Sequence, residues 1–109
     1  VENNRLMRLL TAILLLFLLS SCTTLKQRRH ELIEQHNWSD VRVANIKAGV
    51  VRIGYTPDQV RAAWGRPADI NSTYSANYTQ TQWVYYKIYT NGARYVYFRD
   101  GRVTSMQNW

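Results

Sequence analysis

Three hydrophobic rhythms follow one another along the 109-residue chain, and each predicts a different kind of structure. From Leu9 to Leu19 every residue except Thr11 is apolar, with Arg5 and Arg8 just ahead of the run. Between Trp38 and Pro67 apolar positions recur at intervals of three and four, the period of a helix with one buried face. Beyond Pro67 the interval drops to two, the period of a strand.

The helical region resolves into two short helices. In "SDVRVANIKAG", Ser39 is placed to cap, Asp40 sits in the first turn, Val43, Ile46 and Val50 form the stripe, and Gly49 offers a stop. In "GYTPDQVRAAWGRP", Thr56 caps, Pro57 suits the first helical position, and Gln59 completes a capping box. Val60, Ala63 and Trp64 are its buried face. Gly65 ends it in a left-handed conformation, and Pro67 prevents resumption.

The strand region reads as "DINSTY", "TQWVYYKIYT", "ARYVYFR" and "RVTSMQ", joined at the last two connections by Asn91-Gly92 and Asp100-Gly101. With two-residue turns, Tyr85 pairs with Phe98 and Phe98 with Val103. One face then carries Trp83, Tyr85, Val96, Phe98 and Val103; the other carries Tyr86, Ile88, Tyr95, Tyr97, Arg99, Thr104 and Met106. The predicted fold is α+β: two short N-terminal helices packed on one face of an antiparallel meander of three to four strands. The Trp83/Phe98 face meets Ile46, Val60 and Trp64 in the core. Two helices cover only one face, so Tyr86, Tyr95, Tyr97 and Arg99 stand on an open one. Rigid amphipathic rings beside a planar cation suit protein binding. Tyrosines acting only as strand formers, half covered by one another, are the competing reading.

The apolar run at the start is too short to cross a bilayer: eleven residues of helix reach about 16 Å, roughly half a hydrocarbon core. It suits the central region of a secretory signal, for which Met7 is an alternative start. Leu19-Ser20-Ser21-Cys22 closes it and resembles the lipobox of bacterial lipoproteins, in which the cysteine is diacylglycerylated, freed by cleavage before it, and N-acylated with a fatty acid such as palmitate. An ordinary signal with an incidental cysteine is the alternative. The expected organisation is a signal peptide over 1–21, an acylated cysteine and tether over 22–37, and a domain over 38–109. The tether, containing "KQRRHELIEQH", has only Leu25, Leu32 and Ile33 as a weak apolar stripe, so fractional helicity is expected, with Arg28 and Arg29 facing lipid phosphate or solvent. In lipoproteins an aspartate after the cysteine retains the protein in the inner membrane. Thr23 implies instead the outer membrane, on its periplasmic face.

Composition then removes alternatives. The net charge of +7 invites nucleic acid, but a secreted lipoprotein does not meet the chromosome, so no nucleic-acid partner is expected. Anionic lipid or an acidic protein suits the charge better. A single cysteine excludes an internal disulfide framework and a multi-thiolate zinc site, and His30 and His36 lie in a polar stretch without further ligands. No metal or cofactor is expected. Asp40 and Asp58 occupy helix starts, Asp69 begins a strand and Asp100 fills a turn, so each has a structural role, and no Gly-rich phosphate loop occurs. An enzyme is not expected.

"RIGYTPDQVRAAWGRP", "QWVYY" and "YVYFRDGRVTSMQ" together resemble the SmpA/OmlA (BamE-like) domain family of small outer-membrane lipoproteins. The family pattern falls on Gly54, Thr56, Val60, Gly65, Pro67, Trp83, Tyr85, Phe98, Gly101 and Val103, within about residues 45–107. The resemblance implies a β-lactamase-inhibitor-like α+β domain in the cell envelope that acts by protein contact. It implies a protein partner, with the β-barrel assembly machinery as one candidate and capture of a periplasmic enzyme as the alternative. The preceding "EQHNWSDV" departs from the family's tyrosine-proline-aspartate stretch, so no partner-contacting residues carry over from it.

Overall fold

Four helices precede four strands among the described residues. The computed structural model describes residues 2–20 and 24–108; Cys22 lies outside them. The order is α1 (Glu2–Ser20), α2 (Leu25–Gln35), α3 (Asp40–Lys47), α4 (Pro57–Trp64), β1 (Asp69–Tyr74), β2 (Thr79–Tyr86), β3 (Ala93–Arg99) and β4 (Arg102–Gln107). The class is α+β, with one antiparallel sheet in the order β1-β2-β3-β4. Among the described residues no helix is long and apolar enough to cross a membrane.

The capping signals act as their spacing predicts. Ser39 accepts from the Arg42 backbone N–H at 3.3 Å, starting α3. At α4 the Thr56 hydroxyl accepts from Gln59 N–H at 3.3 Å, while Gln59 Oε1 accepts from Thr56 N–H at 2.9 Å. Gly65 ends α4 at φ 83° and ψ −163°, which is not the left-handed helical well but a region open essentially only to glycine. Gly54 N–H donates to Val103 O at 2.8 Å and Val103 N–H to Tyr55 O at 2.9 Å, fastening the approach to α4 onto β4.

The helix count corrects the expectation of two. The stretch read as a tether is the capped helix α2, docked on α4. Thr24 and Gln27 form a capping box like that of Thr56 and Gln59. Arg29 then reaches across: Nε donates to Ala62 O at 2.8 Å, Nη2 to Ala63 O at 2.9 Å, and Nη1 to Lys47 O at 3.2 Å. Those oxygens belong to the last turns of α4 and α3, whose carbonyls have no partner within their own helix. One guanidinium caps both. Leu32 and Ile33 pack against the core.

The register also departs from expectation. β2 stops at Tyr86, which pairs with Ala93, and residues 87–92 form a six-residue loop closed by Lys87 N–H to Gly92 O at 2.8 Å. Tyr85 therefore pairs with Arg94, not Phe98, and Trp83 with Val96. Every cross-strand partner moves by four positions from the two-residue-turn register, an even shift, so the faces survive. The gain is a ring contact under the helices: Trp83 and Phe98 lie 4.7 Å apart, centroid to centroid. Between β3 and β4 the tight turn does hold, with Asp100 at φ 51° and Gly101 at φ 81°, and Phe98 pairs with Val103. A bulge follows: Tyr97 pairs with Ser105 and Val96 with Met106. The extra residue moves Met106 from the open face, where it was expected, to the core face.

The core holds Ile46, Val51, Tyr55, Val60, Ala63, Trp83, Tyr85, Val96, Phe98 and Val103. It has a direction. α4 runs alongside β2, with the Arg61 guanidinium 5.3 Å from the Trp83 ring and Trp64 edge-on to Tyr85 at 5.5 Å. α2 runs the opposite way, since Leu25 abuts Gly65 whereas His36 lies 3.5 Å from Asp58. One end of the domain thus gathers the start of α2, the ends of α3 and α4, and the loop between β2 and β3. The other end gathers the starts of α3 and α4 and the two remaining hairpin turns.

Candidate protein-docking face

Tyr86, Tyr95, Tyr97 and Arg99 share the face of the sheet turned away from α3 and α4, as the alternation predicts. They do not form one cluster. Tyr86 and Arg99 sit near opposite ends of paired strands, about 20 Å apart at 3.4 Å per residue. Tyr95 and Tyr97, half-buried, occupy the middle.

A hydrogen-bonded row crosses the face. Asn71 on β1 donates to Gln82 Oε1 at 3.0 Å, Gln82 Nε2 donates to the Tyr97 hydroxyl at 3.2 Å, and that hydroxyl lies 3.5 Å from Gln107 Oε1 on β4. Four strands are thereby linked through side chains alone. Each end of the face has its own fixed group. The Tyr86 hydroxyl donates to Asp69 Oδ2 at 2.9 Å, and the Arg99 guanidinium lies 3.8 Å from the centre of the Tyr78 ring. The Asp69 carboxylate raises the Tyr86 phenol above its ordinary range, first through this hydrogen bond and then through its charge. Tyr86 keeps its proton and its donor role.

Val84 lies on the same face and is only 5% exposed, although α3 and α4 pack on the other side. Its cross-strand partners are Asp69 and Tyr95. The neighbouring side chains exclude water from it, so the face has an apolar centre beneath polar tips. Asn71, Tyr78, Gln82 and Gln107 were not singled out from the sequence. The alternation already placed Gln82 beside Tyr97 in parity, but their pairing depends on the six-residue loop.

The positions carrying the family resemblance are structural. Thr56 caps, Gly65 and Gly101 take positive φ, Trp83 and Phe98 meet in the core, and the Gly54 backbone bonds β4. Pro67 follows α4 after Gly65. On the core side, the Tyr85 hydroxyl donates to Gly65 O at 2.9 Å, and burial pushes its ionisation far above the ordinary phenol range against the opposing pull of the Arg61 charge. Arg94 stacks 4.1 Å from the Trp64 ring, where desolvation lowers its basicity.

Each histidine lies beside a carboxylate: His30 Nε2 is 3.0 Å from Glu34, and His36 Nε2 is 3.5 Å from Asp58 while its ring stacks on Trp38 at 4.8 Å. Among the described residues no group of three or more His, Cys, Asp or Glu side chains is placed to hold a metal ion. The lipidation candidate Cys22 lies outside the described residues. No family model matches the chain, and no curated protein or solved structure matches it at a significant level.

Proposed function

We propose that this chain is a lipoprotein of the outer membrane, acylated at Cys22 and lying on the periplasmic side, whose domain is a non-catalytic protein-docking module of the envelope. The observation that carries the docking reading is the Tyr97 row. A face whose rings and amides are already held by one another gives up little side-chain entropy when a partner binds, and that entropy is a main cost of association. Tyrosine and arginine contribute disproportionately at such surfaces. The lipobox-like Leu19-Ser20-Ser21-Cys22 supports the anchor, and the resemblance to the SmpA/OmlA domain supports an inhibitor-like arrangement of the fold. The same resemblance nominates the β-barrel assembly machinery as partner.

The test is affinity capture from detergent-solubilised envelopes, comparing the native chain with a Tyr95→Ser/Tyr97→Ser variant. Barrel-assembly subunits are expected with the native chain and absent with the variant, whose circular dichroism stays native. Equal capture by the two would remove the tyrosine face from the account. A stoichiometric hydrolase in place of assembly subunits would convert the reading to that of a periplasmic inhibitor. In parallel, Cys22→Ser should move the protein from the membrane pellet to the soluble fraction, and sedimentation of that variant would overturn the anchor.

A further inference from the structure

The loop between β2 and β3 displays large side chains with no structural use. Ile88 is 75% exposed, and Tyr89 is fully exposed at φ 68°. The loop is nonetheless closed by its Lys87–Gly92 hydrogen bond. Burial cannot explain why these residues stand there.

Their place in the fold suggests a use. The loop continues past the Tyr85–Arg94 pair, and both members of that pair touch the end of α4: Tyr85 through Gly65 O, Arg94 through the Trp64 ring. Leu25, the first residue of α2, abuts the same Gly65 and is 42% exposed. Only Thr23 and Thr24 separate Leu25 from Cys22, and three extended Cα steps span about 10 Å. Because Arg29 fixes α2 to α3 and α4, any anchor on Cys22 is short and attached to a rigid body. The domain cannot hang away from the bilayer on a flexible leash.

Basic side chains occur at both ends of this axis, but the acidic ones that offset them are concentrated at one. Lys26, Lys47, Arg66 and Lys87 belong to the end bearing Leu25 and Ile88. Lys26 and Lys47 line, with Leu25 and Ile33, a groove of about 660 Å³. Asp40, Asp58 and Asp100 belong to the opposite end, where they stand among Arg42, Arg52, Arg99 and Arg102, and Glu31 and Glu34 belong to the second half of α2. Asp69 is the one acidic residue among the described elements at the basic end, and its carboxylate is engaged by the Tyr86 hydroxyl. A few apolar and aromatic side chains among cations match an interfacial contact with anionic lipid. The desolvated centre of a protein interface is instead depleted of charge.

We infer that this end of the domain, with Leu25, Ile88 and Tyr89 at its surface and Lys26, Lys47, Arg66 and Lys87 around them, rests directly on an anionic phospholipid surface. The inference rests on the lipoprotein reading, because the anchor at Cys22 selects the end. It adds a second point of attachment beside the acyl chains and fixes the orientation of the domain. Tyrosine at the tip suits the headgroup level, where an aromatic body meets lipid and its hydroxyl meets water.

Acylation leaves no free thiol in the full chain, so a single engineered cysteine takes one spin label. Tyr89→Cys places the label at the loop, and Ala76→Cys, in the hairpin turn between β1 and β2, places it at the opposite end. Each full-length acylated protein is reconstituted into vesicles of phosphatidylcholine with and without phosphatidylserine. The ratio of oxygen to aqueous nickel-chelate collisions is then measured at each label. At position 89 in phosphatidylserine vesicles the ratio should exceed that at position 76 by about fivefold or more. Lys26→Glu with Lys87→Glu should remove that excess, each charge contributing about fivefold to surface affinity. Equal, water-like ratios at both positions on an intact acyl anchor would overturn the contact while leaving the lipoprotein reading standing. A free thiol at Cys22 in the mass spectrum of the purified chain would overturn that reading, and this contact with it.

Discussion

Tyr85 shows how one side chain ties stability to pH. Its hydroxyl donates to Gly65 O from a buried position, and burial holds its ionisation far above 10.0, the ordinary value. The unfolded chain loses this proton near pH 10 while the folded chain keeps it. Above that pH the folded state therefore binds more protons, and stability falls as pH rises. Below pH 10 both states are protonated and the group adds no slope. The expected loss is about 1.4 kcal/mol per pH unit from this residue, continuing until the folded phenol itself ionises. Tyr85→Phe should flatten the alkaline limb by that amount in urea unfolding series between pH 9 and 12, at a cost of about 1 kcal/mol near neutrality for the lost hydrogen bond. An unchanged alkaline slope in the variant would show that another group governs it. The phenol's place in the core was legible from alternation alone, since Trp83 and Tyr85 share a parity. Its acceptor was not, because the Gly65 carbonyl faces it only after α4 ends in the glycine-specific conformation.

Elements were readable where local signals sufficed. α3, α4, β1, β3 and β4 follow from caps, periods and turn residues within their own stretches. Alternation overextends β2 because Asn91-Gly92 reads as a tight turn, whereas setting Trp83 against Val96 and Phe98 under the helices outweighs that local preference. It also misplaces Met106, because a bulge leaves no mark in the pattern. α2 is the instructive case. Its apolar stripe is weak, yet Thr24-Leu25-Lys26-Gln27 carries the same capping pattern as Thr56-Pro57-Asp58-Gln59, a signal that was present and could have found it. What holds α2 in place lies outside its own sequence, in the carbonyls of Lys47, Ala62 and Ala63. Arg29→Ala should therefore destabilise the whole domain by about 3 kcal/mol, from several charge-assisted bonds and the packing of the aliphatic stem. Arg29→Lys should recover less than half, because a point charge cannot bond carbonyls of two helices in one plane. The urea midpoint measures both. Loss of α2 helicity without a shift in the midpoint would mean that the helix is an appendage and not part of the cooperative unit.

At the scale of the molecule, the proposed lipid contact and the proposed docking face make separate demands on the same rigid body. On the lipoprotein reading the anchor would select the end bearing Lys26 and Tyr89, whereas the tyrosine face lies along the side of the sheet, running from that end toward Arg99. A partner bound there would meet the domain beside the membrane, its reach fixed by the docked α2. Lengthening the connection separates this geometry from binding chemistry. Ten Gly-Ser residues inserted between Thr23 and Thr24, ahead of the α2 cap, behave as a flexible coil with a typical reach of about 17 Å. The insertion touches no bond of Arg29, so the unfolding midpoint should stay unchanged, and capture of the partner from detergent extracts should equal that of the native chain. In intact membranes the domain loses its fixed orientation, and the effective concentration of its face at a membrane-embedded partner falls. Crosslinking to the partner in whole envelopes should then drop severalfold while detergent capture holds. Equal crosslinking from native and lengthened chains would show that the short mount has no part in presenting the face.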